Sequence, residues 1–271
     1  MSSIYFGNGH PVTKKLVNVV TKSLRMTMPN LAMKLSRKVL MKPVQRKNTW
    51  PRGVIQTECQ TRHGVAKVYQ YGEGKPIWLV HGWSGSGFQF WPLMQKLAEK
   101  GFSTITFDLP AHGYSEGELS SLPKMIQAYD DISKAIATPG MVIAHSMGAS
   151  VIANSQWLKN YNNDIMLIAP LLKTYDLLQE TVNRTGFDQV LFNRIIQEVY
   201  EQDKMQVKEL NAGQHFVNFS GNIKMIHDVD DKFAPIEESR SLARDSGAEL
   251  YVTTNLGHGK ILRSTRVANL V

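Results

Sequence analysis

Residues 142–149, Val-Ile-Ala-His-Ser-Met-Gly-Ala, decide how this chain is organised. An apolar run ends at Ser146, small residues follow, and a helical pattern begins directly afterwards. This order predicts a strand, a tight turn with Ser146 at its apex, and a helix. Because such a turn strains the serine backbone, the residues two positions away on either side must be small, and they are Ala144 and Gly148. Taken alone, the pentapeptide is also compatible with an ordinary strand-to-helix turn.

Strand and helix patterns alternate on both sides of this turn. A continuous apolar run typical of a buried parallel strand occupies residues 77–80, and further strand patterns occupy residues 103–107, 164–169, 223–227 and 249–253, with helical patterns between most of them. Residues 54–71 favour an antiparallel hairpin. The alternation predicts an α/β fold with a mostly parallel sheet and helices on both faces. It lapses at about residues 171–219, where amphipathic helical patterns predict a small cap. The cap's apolar faces would line a substrate pocket, although core packing explains most of the same residues.

The net positive charge of the chain comes from an N-terminal arm, residues 1–52. The chain has a net charge of +8, and the arm holds 11 Lys and Arg residues and no Asp or Glu, whereas the remainder holds 20 basic and 23 acidic residues. We therefore divide the chain into a basic extension, 1–52, and a main domain, 53–271. Two amphipathic helical patterns are expected in the arm, with apolar stripes at Leu16, Val20 and Leu24 and at Leu31, Leu35 and Val39.

The favoured interpretation of the arm is an extension whose apolar stripe packs on the main domain or on a second copy of the chain. An anionic membrane surface is the first alternative for a basic amphipathic pair of helices. Nucleic acid is not expected as a partner, because few aromatic residues are available for base stacking and no nucleic-acid-binding motif is present. The oligomeric state is left open.

Composition favours the cytoplasm. The single cysteine, Cys59, cannot form an internal disulfide and suits a reducing compartment. No apolar run approaches the roughly 20 residues that span a bilayer. Peripheral attachment to a membrane through the arm is the alternative location.

A serine, an acid cluster and a histidine follow successive predicted strands. Ser146 comes first, Asp228, Asp230 and Asp231 follow the strand at 223–227, and His258 follows the last strand between two glycines. A serine hydroxyl needs a base to take its proton, and imidazole is poised near neutrality for that role. A carboxylate then holds the imidazole in one tautomer and stabilises its cation. The order Ser, Asp, His is that of α/β-hydrolases.

Over about residues 54–271 the sequence resembles the α/β-hydrolase superfamily, serine esterases and lipases in particular. The matching motifs are His81-Gly82-x-x-Gly85, Asp108-x-Pro110-x-His112-Gly113-x-Ser115, Ala144-x-Ser146-x-Gly148, Asp231-x-x-x-Pro235 and Gly257-His258. The arm lies outside the resemblance.

The resemblance implies a role for each of these motifs. Ser146 would be the nucleophile and His258 the base. The spacing to the proline selects Asp231 over Asp230 as the orienting acid, although a slip of one residue leaves Asp230 open. The N–H groups of Trp83 and Met147 would form the oxyanion hole.

Other roles are expected for the loop before Ser84 and for the histidines outside the Ser, Asp, His set. The loop of His81, Gly82 and Trp83 is expected to contact substrate. His81 and His112 occupy turns that the resemblance marks as architectural, and the side chain of His145 is expected to turn away from the serine into the fold.

The predicted activity is hydrolysis of a carboxylic ester or thioester through an acyl-enzyme, without a metal or an organic cofactor. Esters of small to medium apolar acids fit this route best. Two alternatives differ in kind. One is a lipid hydrolase or acyltransferase that the arm anchors to a membrane, and the other is a ligand-binding protein that keeps the fold without catalysis.

Overall fold

An eight-stranded sheet organises the described part of the chain, residues 11–206 and 210–271 of a computed structural model. Its order is β1-β2-β4-β3-β5-β6-β7-β8. The pairs β1–β2 and β2–β4 are antiparallel and the other five pairs are parallel, which confirms the mostly parallel sheet. The strands are β1 (Ile55–Thr61), β2 (Gly64–Tyr71), β3 (Lys75–Val80), β4 (Phe102–Phe107), β5 (Met141–His145), β6 (Asp164–Ile168), β7 (Ile223–Asp228) and β8 (Glu249–Thr253).

Helices cover both faces of the sheet because the central strands are apolar on both sides. In β3, Trp78 and Val80 enter one buried cluster and Ile77 and Leu79 enter the other. The first cluster is completed by α4 (Leu122–Ala135), α5 (Met147–Ala153), α8 (Ala212–Val217) and α9 (Ile236–Ser246). The second is completed by α3 (Trp91–Glu99) and α11 (Thr265–Asn269). The predicted α/β fold class is confirmed.

The helix after Ser146 is shorter than the pattern suggests. The sequence predicts a helix over residues 149–158, but α5 ends at Ala153 and a separate 3-10 turn covers Trp157–Asn160. Asn154 Nδ2 donates to Ser150 O at 2.7 Å, and Ser155 Oγ donates to Ile152 O at 2.7 Å. These side chains satisfy carbonyls of the last turn, so the helix ends there.

Three helices occupy the segment predicted as a cap: α6 (Thr174–Thr185), α7 (Gln189–Gln202) and α8. Residues 207–209 of that segment lie outside the described residues. Among the apolar residues that give α6 and α7 their amphipathic pattern, Leu177 and Leu178 line a cavity at the sheet edge, whereas Val190 is exposed. The others pack together in a buried cluster with residues of the arm, namely Val182, Leu191, Ile195, Ile196 and Val199.

The arm forms two helices, α1 (Pro11–Thr27) and α2 (Pro29–Met41), and residues 1–10 lie outside the described residues. The prediction that the apolar stripes of the arm pack on the main domain is wrong for most of their residues. In α1, Leu16 and Val20 are exposed, and Leu24 is partly buried against the cluster that the cap and the arm share. Leu31, Leu35 and Val39 are exposed, and the buried face of α2 is one residue further along, at Ala32, Ser36 and Leu40. Small side chains let α2 approach α7 closely, which leaves the larger side chains outside.

The arm is joined to the cap by polar contacts as well. Arg25 Nε lies 2.7 Å from Asp188 Oδ1, and Asp188 N donates to Thr21 Oγ1 at 3.1 Å. No helix in residues 11–206 or 210–271 combines the length and the apolar character that crossing a bilayer requires.

Candidate active site

Ser146 occupies a strained turn between β5 and α5. Its φ of 55° lies in the left-handed region, which a residue with a side chain rarely adopts. The position of Gly148 explains why the turn needs a glycine there, since a Cβ at this residue would lie 2.4 Å from Val80 O. Ser146 N donates to Ile168 O at 3.1 Å, which fixes the turn to the neighbouring strand. The hydroxyl is thereby held at the carboxyl edge of the sheet.

The imidazole of His258 connects Ser146 to Asp231. His258 lies in the short helix α10 (Gly257–Lys260), after β8, and its Nε2 is 2.9 Å from Ser146 Oγ. Its Nδ1 is 2.7 Å from Asp231 Oδ2. With Nδ1–H donating to the carboxylate, Nε2 is free of a proton and accepts the serine O–H. The structure thus brings together the three residues that the sequence selects, although they lie 112 and 27 positions apart.

The Asp231 carboxylate is buried and well supplied with donors. Its Oδ1 accepts the Phe233 and Ala234 amides at 2.8 and 3.0 Å. Burial by itself raises the pKa of Asp231, but hydrogen bonds from His227 and His258, the charge of His258 and the amides outweigh it and hold the pKa well below its usual range. The group is therefore ionised whenever the protein is folded near neutral pH.

The two neighbouring acids tie down the loop that carries His258 instead of contacting its ring. Asp228 Oδ2 accepts Thr253 Oγ1 at 2.8 Å and Leu256 N at 3.1 Å. Asp230 Oδ2 accepts Asn255 N at 2.8 Å. The geometry thus assigns the His258 contact to Asp231.

His81 does not reach the cavity, and the prediction that it contacts substrate is wrong. Its ring is fully buried, Nδ1–H donates to Gly82 O at 2.7 Å, and Nε2 accepts Leu109 N–H at 3.0 Å. Both nitrogens are therefore used within the fold. Burial lowers the pKa of His81, which keeps the ring neutral.

His112 holds the same loop from the other side. Its Nδ1–H donates to Pro110 O at 2.9 Å and its Nε2 accepts Ser84 N–H at 3.0 Å. Burial, reinforced by the neighbouring His81, lowers its pKa to about 3. Ser84 has a φ of 55°, so the loop from Gly82 to Ser84 is strained and is pinned by two buried neutral histidines.

The loop from Gly82 to Ser84 passes directly beside the strained turn at Ser146, which we call the elbow. A Cβ on Gly82 would lie 2.9 Å from Ser146 Cβ and 3.0 Å from Met147 N. Only glycine allows this approach, which brings the backbone around Trp83 to the first amide of α5. Gly82, Trp83 and Met147 all line the cavity above the serine.

His145, next to the serine in sequence, forms a hydrogen bond with the backbone of His258. Its Nε2–H donates to the backbone carbonyl of His258 at 2.9 Å, and its Nδ1 accepts from Gln89 Nε2 at 3.3 Å. Burial and the nearby charge of His258 lower the pKa of His145 to about 3. The side chain turns away from Ser146 as expected, but its contact with the loop that carries His258 was not anticipated.

The contact between His227 and Asp231 is the second one that the sequence did not predict. Its ring is fully buried, with Nε2 3.3 Å from Asp231 Oδ2 and 3.1 Å from Ala234 O, and Nδ1 2.7 Å from Ser239 Oγ. The only available signal was its position at the end of a strand four residues before Asp231, which is too common a spacing to single it out.

Ser146 and His258 lie in the wall of a cavity of about 910 Å³. Its wall is mainly apolar, and the exposed basic side chains of Arg46, Lys260 and Arg263 lie among the lining residues. Within the described residues, no group of three or more His, Cys, Asp or Glu side chains is arranged to hold a metal ion. The aromatic and leucine residues of the lining are Trp83, Phe88, Trp91, Leu171, Leu177, Leu178, Phe233, Leu256 and Leu262.

Comparison with known proteins agrees with this architecture. A model of the α/β hydrolase family matches residues 79–198. A non-heme chloroperoxidase of Kitasatospora aureofaciens is 23% identical over 171 residues, which span 60% of this chain and 61% of that protein. A pimeloyl-[acyl-carrier protein] methyl ester esterase of Stenotrophomonas maltophilia is 38% identical over 73 residues, 26% of each chain. The chain thus covers under two thirds of both curated relatives.

Among solved structures, an esterase of Pyrococcus furiosus superposes with a TM-score of 0.63 at 18% identity, over 84% of this chain and 97% of the other. A thioesterase domain from the curacin biosynthetic pathway gives a TM-score of 0.59 at 14% identity, over 80% and 98% of the two chains. These likenesses concern the fold. With the sheet order and the turn at Ser146, they show that this chain has the α/β-hydrolase fold.

Proposed function

We propose that this protein is a serine hydrolase that cleaves a carboxylic ester or thioester through an acyl-enzyme intermediate. The observation that carries the proposal is the position of the His258 ring, 2.9 Å from the Ser146 hydroxyl and 2.7 Å from the Asp231 carboxylate. These are hydrogen-bonding distances already suited to proton transfer before any substrate is bound.

In the first half-reaction, Ser146 Oγ attacks the substrate carbonyl carbon while its proton passes to His258 Nε2. The ionised Asp231 stabilises the imidazolium that forms. The oxyanion of the tetrahedral intermediate accepts the N–H groups of Trp83 and Met147, and each such donor contributes about 3 kcal/mol to transition-state stabilisation.

The intermediate collapses when the bond to the leaving alcohol or thiol breaks and His258 returns the proton to that group. An acyl ester on Ser146 remains. A water molecule then attacks the acyl carbonyl and gives a proton to His258, and the free acid leaves as Ser146 regains its proton. No net oxidation or reduction occurs, so the proposed residues account for the whole cycle.

The cavity wall supports an acyl group of small to medium size and apolar character. Leucine, phenylalanine and tryptophan side chains line it, and such surfaces favour hydrocarbon over polar groups. The curated relative named as a methyl ester esterase is in keeping with ester chemistry.

The test is labelling of the protein by a fluorophosphonate, read by intact mass. Wild type is expected to gain a single adduct, and Ser146→Ala none. Ser84→Ala is the matched control, since Ser84 also lines the cavity but its hydroxyl accepts Val44 N–H at 3.0 Å. Absence of an adduct on folded wild type would refute an activated serine and favour a ligand-binding protein.

A positive result would be followed by kinetics on p-nitrophenyl esters and matched thioesters of increasing acyl length. We expect kcat/KM to rise with chain length until the acyl group fills the cavity. Labelling of Ser146 without turnover of any ester or thioester would keep the activated serine but contradict this substrate class.

A further inference from the structure

Exposed large apolar side chains are concentrated in the arm. Ten of them lie within residues 12–44, and seven lie in the whole of the remaining described chain. A stable fold has no need to expose so much apolar surface on one segment, and such a patch usually marks an interaction site. The ten are Val12, Leu16, Val19, Val20, Met26, Met28, Leu31, Leu35, Val39 and Val44.

These side chains form a stripe on each helix. On α1, the five exposed apolar residues from Val12 to Met26 fall within about one third of the helix circumference. On α2, Leu31, Leu35 and Val39 repeat at every fourth residue. We call the two stripes together the outer face of the arm.

The opposite sides of both helices attach the arm to the cap. On α1 the attachment uses Thr21 and Arg25, and on α2 it uses Ala32, Ser36 and Leu40. The outer face is therefore not needed to hold the arm in place, and its side chains point away from the protein. Leu16 is 62% exposed and Leu35 is 46% exposed.

The charged residues that the two helices themselves place beside the outer face are all positive. At 3.6 residues per turn, Lys15 and Lys22 border the stripe of α1, and Lys34 and Lys38 lie beside that of α2. Among the described residues, Glu118 is the acidic partner of Lys38, at 3.4 Å, and of Lys42, at 3.5 Å. An apolar stripe between lysines fits a surface that is apolar just below a layer of negative charge.

The arm also continues into the rim of the cavity. Val44 N donates to Ser84 Oγ at 3.0 Å, Gln45 Nε2 donates to Ala111 O at 3.2 Å, and Arg46 and Asn48 line the cavity. Whatever binds the outer face is therefore connected to the mouth of the candidate active site through a short, anchored segment.

We propose that the outer face of the arm binds the surface of a bilayer that contains anionic lipids, with α1 and α2 lying along the interface. A second copy of the chain fits this face less well, because an isologous contact would bring the same lysines together. The inference does not depend on the proposed hydrolase activity, since binding to lipid is measured without substrate.

The test is sedimentation of the protein with phosphatidylcholine vesicles, with and without phosphatidylserine. We expect strong binding when phosphatidylserine is present, weak binding without it, and a decrease as salt is added. Equal binding to both kinds of vesicle, or to neither, would overturn the proposal.

Two triple variants separate the apolar and the charged contributions. Leu16→Ser/Val20→Ser/Leu35→Ser is expected to weaken partitioning at least tenfold. Lys15→Gln/Lys22→Gln/Lys34→Gln removes three cations and is expected to weaken it about 100-fold. All six side chains are exposed, so circular dichroism and fluorophosphonate labelling should match wild type.

Matched controls place the same changes on exposed positions of the main domain. Ile55→Ser/Val190→Ser/Val252→Ser and Lys75→Gln/Lys134→Gln/Lys159→Gln should bind vesicles as wild type does. If the arm variants also bind as wild type does, the outer face is not the lipid site. If wild type is a dimer that does not bind vesicles, and the apolar arm variant is a monomer, the outer face joins two copies of the chain. The lipid proposal is then wrong.

Discussion

Nε2 of the buried His227 lies 3.3 Å from Asp231 Oδ2, the same oxygen that receives Nδ1–H of His258 at 2.7 Å. Asp231 thus stands between two imidazoles, one facing the serine and one inside the fold. Because His227 Nδ1 is 2.7 Å from the Ser239 hydroxyl, accepting that O–H leaves the proton on Nε2, where it faces Asp231 and Ala234 O. We regard His227 as a positioning residue for the carboxylate.

Replacing His227 by phenylalanine should therefore impair the reaction more than it impairs folding. The ring shape is kept, but Asp231 loses a donor, and a hydrogen bond to a charged group contributes about 1.5–3 kcal/mol, or roughly 10- to 100-fold in rate if it acts on the transition state. We expect kcat to fall by about that factor with KM little changed, measured on the best ester found.

Ser239→Ala is the control for His227→Phe, because it removes the bond to Nδ1 and leaves the Asp231 contact in place. It should lower the urea midpoint without a comparable loss of kcat. If His227→Phe and Ser239→Ala lose stability alike and both keep full kcat, His227 is merely structural.

A second prediction separates the three acids that follow β7. Asp231→Asn should lower kcat by about 10³–10⁴-fold, because an amide favours the wrong tautomer of His258 and cannot stabilise its cation. Asp230→Asn should lower kcat less than tenfold, since Asp230 accepts only a loop amide, that of Asn255. The comparison is made by single-turnover acylation. Equal losses in both variants would contradict the assignment of Asp231.

The elbow and the order of the active-site residues were accessible from the sequence because they depend on local rules. A tight turn requires small residues two positions before and after its apex, and these are Ala144 and Gly148. Buried parallel strands can be recognised in the sequence as apolar runs such as residues 77–80. Each polar residue that ends such a strand then falls on one edge of the sheet. The fold class follows from these rules, and so does the convergence of Ser146, the acids after β7 and His258 at that edge. The choice of Asp231 among those acids came from the family resemblance.

Other features depended on contacts between distant segments. The His81 ring turns inward to accept Leu109 N–H, which lies 28 positions away, and periodicity carries no information about that contact. In the arm, the period of the pattern predicted both helices but not which side would face the cap. Close approach to α7 selected the small residues Ala32 and Ser36, so Leu35 was left in solvent.

A third prediction concerns the glycine after the elbow. In Gly148→Ala the added Cβ would lie 2.4 Å from Val80 O and 2.9 Å from His81 O, both backbone atoms that cannot swing aside. We expect a loss of about 1–3 kcal/mol in the free energy of unfolding, together with slower fluorophosphonate labelling as Ser146 shifts. Urea denaturation and labelling rates measure the two effects.

Gly140→Ala is the matched control for Gly148→Ala. Gly140 lies just before the same strand, and the closest atom to its added Cβ would be 3.8 Å away. Its stability and labelling should equal those of wild type. An unaltered Gly148→Ala protein would mean that the turn can relax, against the account of Ser146 as a residue held in a strained conformation.

The last prediction concerns the loss of stability in acid. His112 and His145 have pKa values lowered from 6.5 to about 3 by burial, and burial also lowers the pKa of His81. The unfolded chain takes up protons on these rings below about pH 6.5 while the folded chain does not, so their contribution to stability is complete above that pH and is lost as the pH falls. Each contributes up to about 1.4 kcal/mol per pH unit between the two pKa values.

We therefore expect the urea midpoint to be level from pH 8 to about pH 7 and to fall steeply between about pH 6 and pH 5, before the carboxylate of Asp231 is protonated. His145→Gln removes one of these titrations, so its stability should be lower at neutral pH and should fall less steeply in acid, by up to about 1.4 kcal/mol per pH unit. Urea titrations at closely spaced pH values measure both slopes. If wild type and His145→Gln lose stability at the same rate below pH 6.5, the ring of His145 is protonated in the folded protein. Its Nδ1 could then not accept from Gln89, and the support that it gives to the His258 loop would have to be reconsidered.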